Sequence, residues 1–185
     1  LESIRSELQE ALDKPEKMRD FLTKTMDVWV NMRAAGYMNM GKWKACGATK
    51  ENPMPDVRGL SVYVGNDLSA VIDLTSTSFE IPLPDGRIAV FSHSFIPEAT
   101  LFEKMKTDKV PYMTWVKAGW ITITPGNTVD YRFMVKYIKD FVANKGLVVK
   151  EMCFDRYLAA MLMQELSDEG YTVVGIPQGI PTLGL

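Results

Sequence analysis

The sequence predicts an α/β domain with a mixed sheet that carries helices on its faces, preceded by a helical segment. Three strand-like apolar runs follow one another in the middle of the chain, a pattern typical of successive antiparallel strands. A strand, a helix and another strand follow later, and such a unit normally places its two strands parallel in one sheet. The predicted domains are a helical segment over 1–50 and the sheet domain over 51–185.

The N-terminal segment contains two predicted helices and a shorter third one. Apolar residues recur every three or four positions over 2–13 and over 16–34, and Pro15 suits the first turn of the second helix. A short helical stretch follows at 40–46. The next residues, GATKENPMPD (47–56), contain the glycine, asparagine and prolines of a connector.

After this connector the apolar pattern takes the period of strands. The tripeptide PDG (84–86) predicts a tight turn between the second and third strands. The predicted strands cover 58–69, 71–83, 87–97, 120–125, 147–154 and 171–176. The predicted helices of this half cover 98–106, 110–119, 130–144 and 156–168, and Gly146 is suited to close the third of them in the left-handed conformation.

Composition sets broad bounds on function. The chain has 185 residues, of which 46% are apolar, so it can bury a substantial core. Its formal net charge of −2 neither indicates nor excludes nucleic-acid binding, because a local basic face can exist within that average. No apolar run reaches the length of a membrane span, and the charged N-terminal stretch lacks a signal-peptide core. We expect no membrane association and no secretion.

Histidine content narrows the possible chemistry. His93 is the only histidine, which excludes a two-histidine zinc site or an HExxH helix. A serine hydrolase triad would need His93 from within a predicted strand, and the chain has no GxSxG motif for the nucleophile. We expect His93 to be a partly exposed residue on the third strand.

Two aspartates stand out because each ends a strongly apolar strand. Asp67 follows 60–66 and Asp155 follows 147–154. If these strands are neighbours, two carboxylates meet at one edge of the sheet, where a divalent cation best relieves their repulsion. Oxygen-only ligation suits Mg²⁺ or Mn²⁺. The alternatives are that Asp67 caps a turn and that Asp155 caps the following helix.

Five blocks of sequence, in the same order, resemble the large subunit of tailed-phage terminases, the motor nuclease that packages viral DNA. Four of them lie in the predicted sheet domain: YVGNDLSAVIDLTS (63–76), DKVPYMTWVKAGWITITPGNTVDYRFMVKYI (108–138), FDRYLAAMLMQEL (154–166) and GIPQGIPTL (175–183). The fifth, at 21–46, is similar to the segment that links the packaging ATPase to the nuclease in that family.

The resemblance implies a metal-dependent endonuclease of the RNase H-like fold, whose first and fourth strands lie side by side and carry acidic ligands for two Mg²⁺ or Mn²⁺ ions. By motif, Asp67 is the first-strand ligand and Asp155, in FDRY, is the fourth-strand ligand. Asp73 occupies a second acidic position, as a ligand, an outer carboxylate or a turn former. The family's third acidic ligand comes from a C-terminal helix not expected in this chain, so we expect weak cation binding.

The resemblance also implies partners and a location. These are double-stranded DNA, the portal protein and the terminase small subunit, in the host cytoplasm and transiently at the procapsid portal. ATP would serve only the ATPase domain, which is not expected here. Arg156, Lys136 and Lys139 are candidate phosphate contacts, although a charged outer helix face explains the two lysines equally well.

Two other functions remain open at this point. One is a non-catalytic RNase H-like scaffold that docks DNA or the portal. The other is a nucleotide-binding domain related to sugar kinases, which would need glycine-rich phosphate turns, whereas only Gly65 lies near the first strand's end.

Overall fold

The computed structural model describes residues 2–26, 39–69, 73–155 and 159–177. The chain divides into two compact units, Leu1–Pro53 and Met54–Leu185. The assignment of the first unit as a linker segment stays a prediction. Among the described residues, no helix is long and apolar enough to cross a membrane.

The first unit is helical, as its apolar spacing predicts. Helix α1 covers Glu2–Asp13, α2 covers Pro15–Asp20, a single π-helical turn covers Phe21–Thr25, and α3 covers Met40–Ala45. Pro15 occupies the first turn of α2, where its missing amide hydrogen costs no helical hydrogen bond. The predicted helix over 16–34 is described only to residue 26, and its remainder lies outside the described residues.

The second unit is built on one six-stranded sheet. Its strands are β1 (Ser61–Asp67), β2 (Thr75–Pro82), β3 (Ile88–Pro97), β4 (Ile121–Thr124), β5 (Val148–Asp155) and β6 (Val173–Ile176). Their spatial order is β4-β3-β2-β1-β5-β6. The first three pair antiparallel, and the β3–β4, β1–β5 and β5–β6 pairs are parallel. This confirms the predicted mixed sheet.

Four helices accompany the sheet: α4 (Glu98–Asp108), α5 (Tyr112–Lys117), α6 (Tyr131–Lys145) and α7 (Ala160–Asp168). The main apolar core lies between one face of the sheet and helices α6 and α7. We call this the inner face. A smaller core joins α4 and α5 to the opposite face, the outer face, around Ile96 and Ile121.

Helix α6 is the best-defined of these helices at both ends. The Asp130 side chain caps its start by accepting a hydrogen bond from the Arg132 backbone N–H at 3.0 Å. Gly146 closes it with φ of 62°, a left-handed conformation that glycine adopts without strain. Between these caps, Phe141 stacks on Phe79 of β2 with ring centroids 4.1 Å apart.

Phe79 is a test of the main core. It is fully buried, so Phe79→Ala removes aromatic contacts and leaves a cavity, and we expect the free energy of unfolding to fall by about 3–5 kcal/mol. Phe102→Ala is the matched control, because Phe102 is 64% exposed on α4 and its loss should change stability by less than about 0.5 kcal/mol. Urea unfolding measures both, and equal effects would contradict the described core.

Candidate functional site

The parallel pairing of β1 with β5 brings Asp67 and Asp155 together. The last pairs of this ladder are Gly65 with Cys153 and Asn66 with Phe154, and each strand then ends in its aspartate. Neighbouring strands lie about 4.8 Å apart, so two carboxylates at adjacent strand ends are within reach of a shared cation. The predicted meeting of these residues at one sheet edge therefore holds.

A β-bulge in β5 determines which face of the sheet Asp155 lies on. Val62 pairs with Val149, whereas the next residue of β1, Tyr63, pairs with Glu151, so Lys150 is an extra residue on β5. Without that bulge, the alternation that places Val149 against the core would also turn Asp155 toward the core. The bulge instead lets Asp155 share a face with Asp67.

Both aspartates belong to the outer face. On β1, Val62, Val64 and Asn66 are buried while Asp67 is exposed, which is the alternation of a strand with one covered face. The outer face forms a cleft of about 420 Å³ at this point. Its lining residues come from all four central strands and from β6: Gly65, Asn66, Asp67, Ser76, Thr77, Ser78, Ser92, Ser94, Cys153, Phe154, Asp155 and Ile176.

The floor of the cleft carries small side chains. The Ser76 and Ser94 hydroxyls lie 2.8 Å apart, and Ser78 Oγ donates to the Gly65 carbonyl at 3.4 Å. A Cβ atom at Gly65 would come within 2.9 Å of Ser78 Oγ, so a side chain there would force the Ser78 hydroxyl to move. The floor beside the two aspartates is therefore flat and polar.

The donor set at the cleft fits a hard divalent cation. Two carboxylates on adjacent strands supply oxygen ligands, which Mg²⁺ and Mn²⁺ prefer. Within residues 2–26, 39–69, 73–155 and 159–177, no three histidine, cysteine, aspartate or glutamate side chains cluster as a metal site. Two protein ligands leave the other coordination positions to water, substrate oxygens or groups outside these residues.

The helix-cap alternative for Asp155 does not hold. Helix α7 begins at Ala160 and its N-cap residue is Ala159, whereas Asp155 is the last residue of β5. Asp67 likewise ends a strand, paired with Ser76 of β2. The two aspartates are thus strand-end residues that face one cleft.

Asp73 lies apart from this cleft. Its carboxylate accepts a hydrogen bond from Lys104 Nζ of α4 at 3.1 Å, and its side chain is 84% exposed. Lys104 also contacts Asp108 at 3.2 Å. These bonds tie the residues before β2 to α4. A role for Asp73 as a metal ligand stays a prediction.

Two of the three predicted basic contacts, Lys136 and Lys139, lie away from the cleft. Lys136 and Lys139 lie on α6, which packs on the inner face, and their ammonium groups contact Asp140 at 2.6 Å and Glu169 at 2.5 Å. Arg156 lies outside the described residues. DNA binding by these three residues stays a prediction.

A row of buried polar residues crosses the inner face, beginning at Asn66, the residue before Asp67 on β1. Asn66 lies opposite Thr77, and Thr77 lies opposite His93. At the end of this row, His93 Nε2 lies 2.8 Å from Thr122 Oγ1 of β4, within hydrogen-bonding distance. This row was not predicted, because its residues come from different strands and only the pairing of those strands places them side by side.

The prediction of a partly exposed His93 is wrong. The side chain is only 5% exposed, since it alternates with Ser92 and Ser94 and so points into the core. Its imidazole stacks on Tyr137 with ring centroids 3.9 Å apart. Burial lowers the pKa of His93 from its ordinary value of 6.5, because a charged ring would lose its hydration.

Comparison with known proteins decides the family. A family model described as "Terminase large subunit, endonuclease domain" matches residues 1–181. This chain belongs to that family. The terminase large subunit of Enterobacteria phage HK97 is 31% identical to it over 191 residues, an alignment that covers 100% of this chain and 36% of the relative.

The chain is also similar to a second known protein and to a solved structure. Protein YmfN of Escherichia coli (strain K12) is 28% identical over 185 residues, with 96% of this chain and 40% of the relative covered. The crystal structure of the HK97 bacteriophage large terminase superposes with a TM-score of 0.68 at 30% identity, covering 93% of this chain and 36% of that one. The chain thus spans well under half the length of the relatives that it matches. The predicted RNase H-like fold is confirmed.

The buried imidazole predicts a pH dependence of stability. Because the folded state lowers the pKa of His93, the neutral ring stabilises the fold above about pH 6.5, and this contribution is lost as the pH falls through the lower folded value. His93→Phe keeps an aromatic ring but cannot be protonated. We expect the free energy of unfolding to fall less steeply between pH 7.5 and pH 5 in this variant, as measured by urea unfolding. Parallel curves for the two proteins would contradict burial of a neutral His93.

Proposed function

We propose that this terminase chain is a metal-dependent endonuclease that cuts double-stranded viral DNA during genome packaging. The observation that carries the proposal is the position of Asp67 and Asp155 at the adjacent ends of β1 and β5, facing one cleft. Family membership supports the reaction type, because the matching model describes an endonuclease domain.

In this proposal the two carboxylates hold divalent cations, with Mg²⁺ and Mn²⁺ as the ions that fit oxygen ligands. When bound, two such ions lower the pKa of an attacking water and stabilise the leaving oxygen of the scissile phosphate. The polypeptide contributes position rather than acid–base groups. Asp67 and Asp155 hold the reaction centre on the sheet edge, and no histidine lines the cleft.

The shape of the cleft agrees with a phosphodiester substrate. Within the described residues, the strip of floor on β1, β2 and β3 carries serines and Gly65, whose small side chains leave the sheet accessible beside the two carboxylates. A sugar–phosphate backbone can therefore approach the sheet closely, and serine hydroxyls are common partners of phosphate oxygens. Contacts of this kind carry no sequence information, so cutting should depend little on base sequence.

The remaining parts of the proposal follow from the family. We propose the portal protein and the terminase small subunit as partners, the host cytoplasm and the procapsid portal as locations, and ATP as a cofactor of a motor domain only. We also propose DNA contacts by Lys136, Lys139 and Arg156. The two lysines are the weaker candidates, because they already contact carboxylates.

Cleavage of supercoiled plasmid in Mn²⁺ tests the proposal. Asp67→Asn and Asp155→Asn keep the side-chain shape but remove the charge that holds the cation, so each should lower the nicking rate by more than about 100-fold. Asp140→Asn is the matched control, because this exposed aspartate pairs with Lys136 on α6, away from the cleft.

Three outcomes of this assay are informative. Loss of nicking in both cleft variants with normal nicking by Asp140→Asn supports the proposed nuclease. DNA binding by the wild-type chain without any Mn²⁺-dependent nicking would instead favour the non-catalytic scaffold. Equal nicking by all three variants would remove the assigned site.

The position of Asp73 gives a separate prediction. Since its carboxylate pairs with Lys104 and does not line the cleft, Asp73→Asn should nick plasmid within about threefold of wild type. The same variant removes an ion pair in which the aspartate itself is exposed, so we expect a small loss of stability, of up to about 1 kcal/mol. A loss of nicking as large as that of Asp67→Asn would make Asp73 a ligand after all.

A further inference from the structure

We propose that Asn66 is a positioning residue of the candidate metal site, whose side-chain amide ties β1 to β5 immediately before both strands end in their aspartates. This inference rests on the proposed function, because it concerns the same two carboxylates. It adds a residue that acts on the two carboxylates through the backbone of both strands.

The contact that supports this role crosses between the two strands. Asn66 Nδ2 donates a hydrogen bond to the Cys153 carbonyl oxygen at 3.2 Å. Asn66 and Phe154 form the last pair of the β1–β5 ladder, so this bond lies at the end of the pairing. It is one residue before Asp67 on one strand and two residues before Asp155 on the other.

Stability alone does not account for an asparagine at this position. The side chain is 7% exposed and shares the inner face with Val62 and Val64, in a strand where asparagine has low propensity. Its Oδ1 atom has no hydrogen-bond partner within the part of the chain that the structure describes. A buried, half-satisfied amide is costly, and an aliphatic residue would fit this core better.

Apolar packing selects the strand register but does not hold the strand ends to a fixed separation. Burial of Met152 and Phe154 keeps β5 in its register beyond the bulge, because a one-residue slip would turn both side chains out of the core. Apolar contacts are non-directional, whereas a hydrogen bond has a narrow range of distance and angle. Metal ligands need positions fixed to about 0.5 Å, and the Asn66 amide supplies such a constraint.

The test is a titration of the 185-residue chain with Mn²⁺. The electron paramagnetic resonance signal of free Mn²⁺ measures how much of the ion stays unbound. Asn66→Leu keeps the approximate shape and removes the donor, so we expect about 10-fold weaker Mn²⁺ binding with no lower midpoint of urea unfolding. Asn66→Ser is a second variant that stays polar but is too short to reach the Cys153 carbonyl, and it should weaken Mn²⁺ binding similarly.

Thr124→Val is the matched control. Thr124 of β4 is also buried, does not line the cleft, and its hydroxyl has no partner within the described residues. Valine has nearly the same shape, so this variant should bind Mn²⁺ as wild type does. A loss of Mn²⁺ affinity in Thr124→Val equal to that in the Asn66 variants would assign the effect to general loosening of the sheet and overturn the positioning role.

The outcomes separate this inference from the proposed function. If Asp67→Asn and Asp155→Asn lose Mn²⁺ binding while both Asn66 variants bind as wild type, the role of Asn66 is wrong and the metal site stands. If the wild-type chain binds no Mn²⁺, or if the aspartate variants bind it unchanged, the metal site itself is wrong and this inference fails with it.

Discussion

The parallel contact between β1 and β5 is the constraint on which the rest of the molecule depends. It places two carboxylates at neighbouring strand ends, where like charges repel each other. The pairing is held against this repulsion by the core beneath it, where Val62, Val64, Met152 and Phe154 are fully buried. A cation between the carboxylates would convert the repulsion into attraction.

The two faces of the sheet have separate tasks. Residues on the inner face pack against α6 and α7, and the alternate residues of the same strands form the cleft on the outer face. Because a strand's side chains alternate strictly, one backbone register fixes both the core and the cleft. The bulge at Lys150 shows how this coupling is adjusted, since a single extra residue restores the correct alternation on β5.

Much of the fold could be predicted because its signals are local. The PDG turn, the Gly146 helix end and the apolar run before each strand-end aspartate all lie within a few residues of the feature that they specify. Element boundaries were less accurate: β2 begins at Thr75 rather than at 71, and α7 begins at Ala160 rather than at 156.

The features that could not be predicted are contacts between distant residues. The burial of His93 under Tyr137, the Lys104 bond to Asp73 and the Asn66 bond to Cys153 each join separate elements. For His93 alone a local signal existed, because it alternates with Phe91 and Phe95 on β3. That pattern indicates a shared face with two aromatic residues, but a lone polar residue in such a pattern is ambiguous without the opposing helix.

The outermost strands of the sheet have a consequence for crowding. In the described part of the chain, the four-residue β4 pairs only with Ser94–Pro97 of the ten-residue β3, so the residues of β3 before Ser94 also lie at the sheet edge. Ile88 and Val90 in this stretch are exposed. Long edges with exposed apolar side chains invite another chain to extend the sheet. When many copies of this chain stand side by side, this stretch of β3 is therefore the place where one sheet can extend into another.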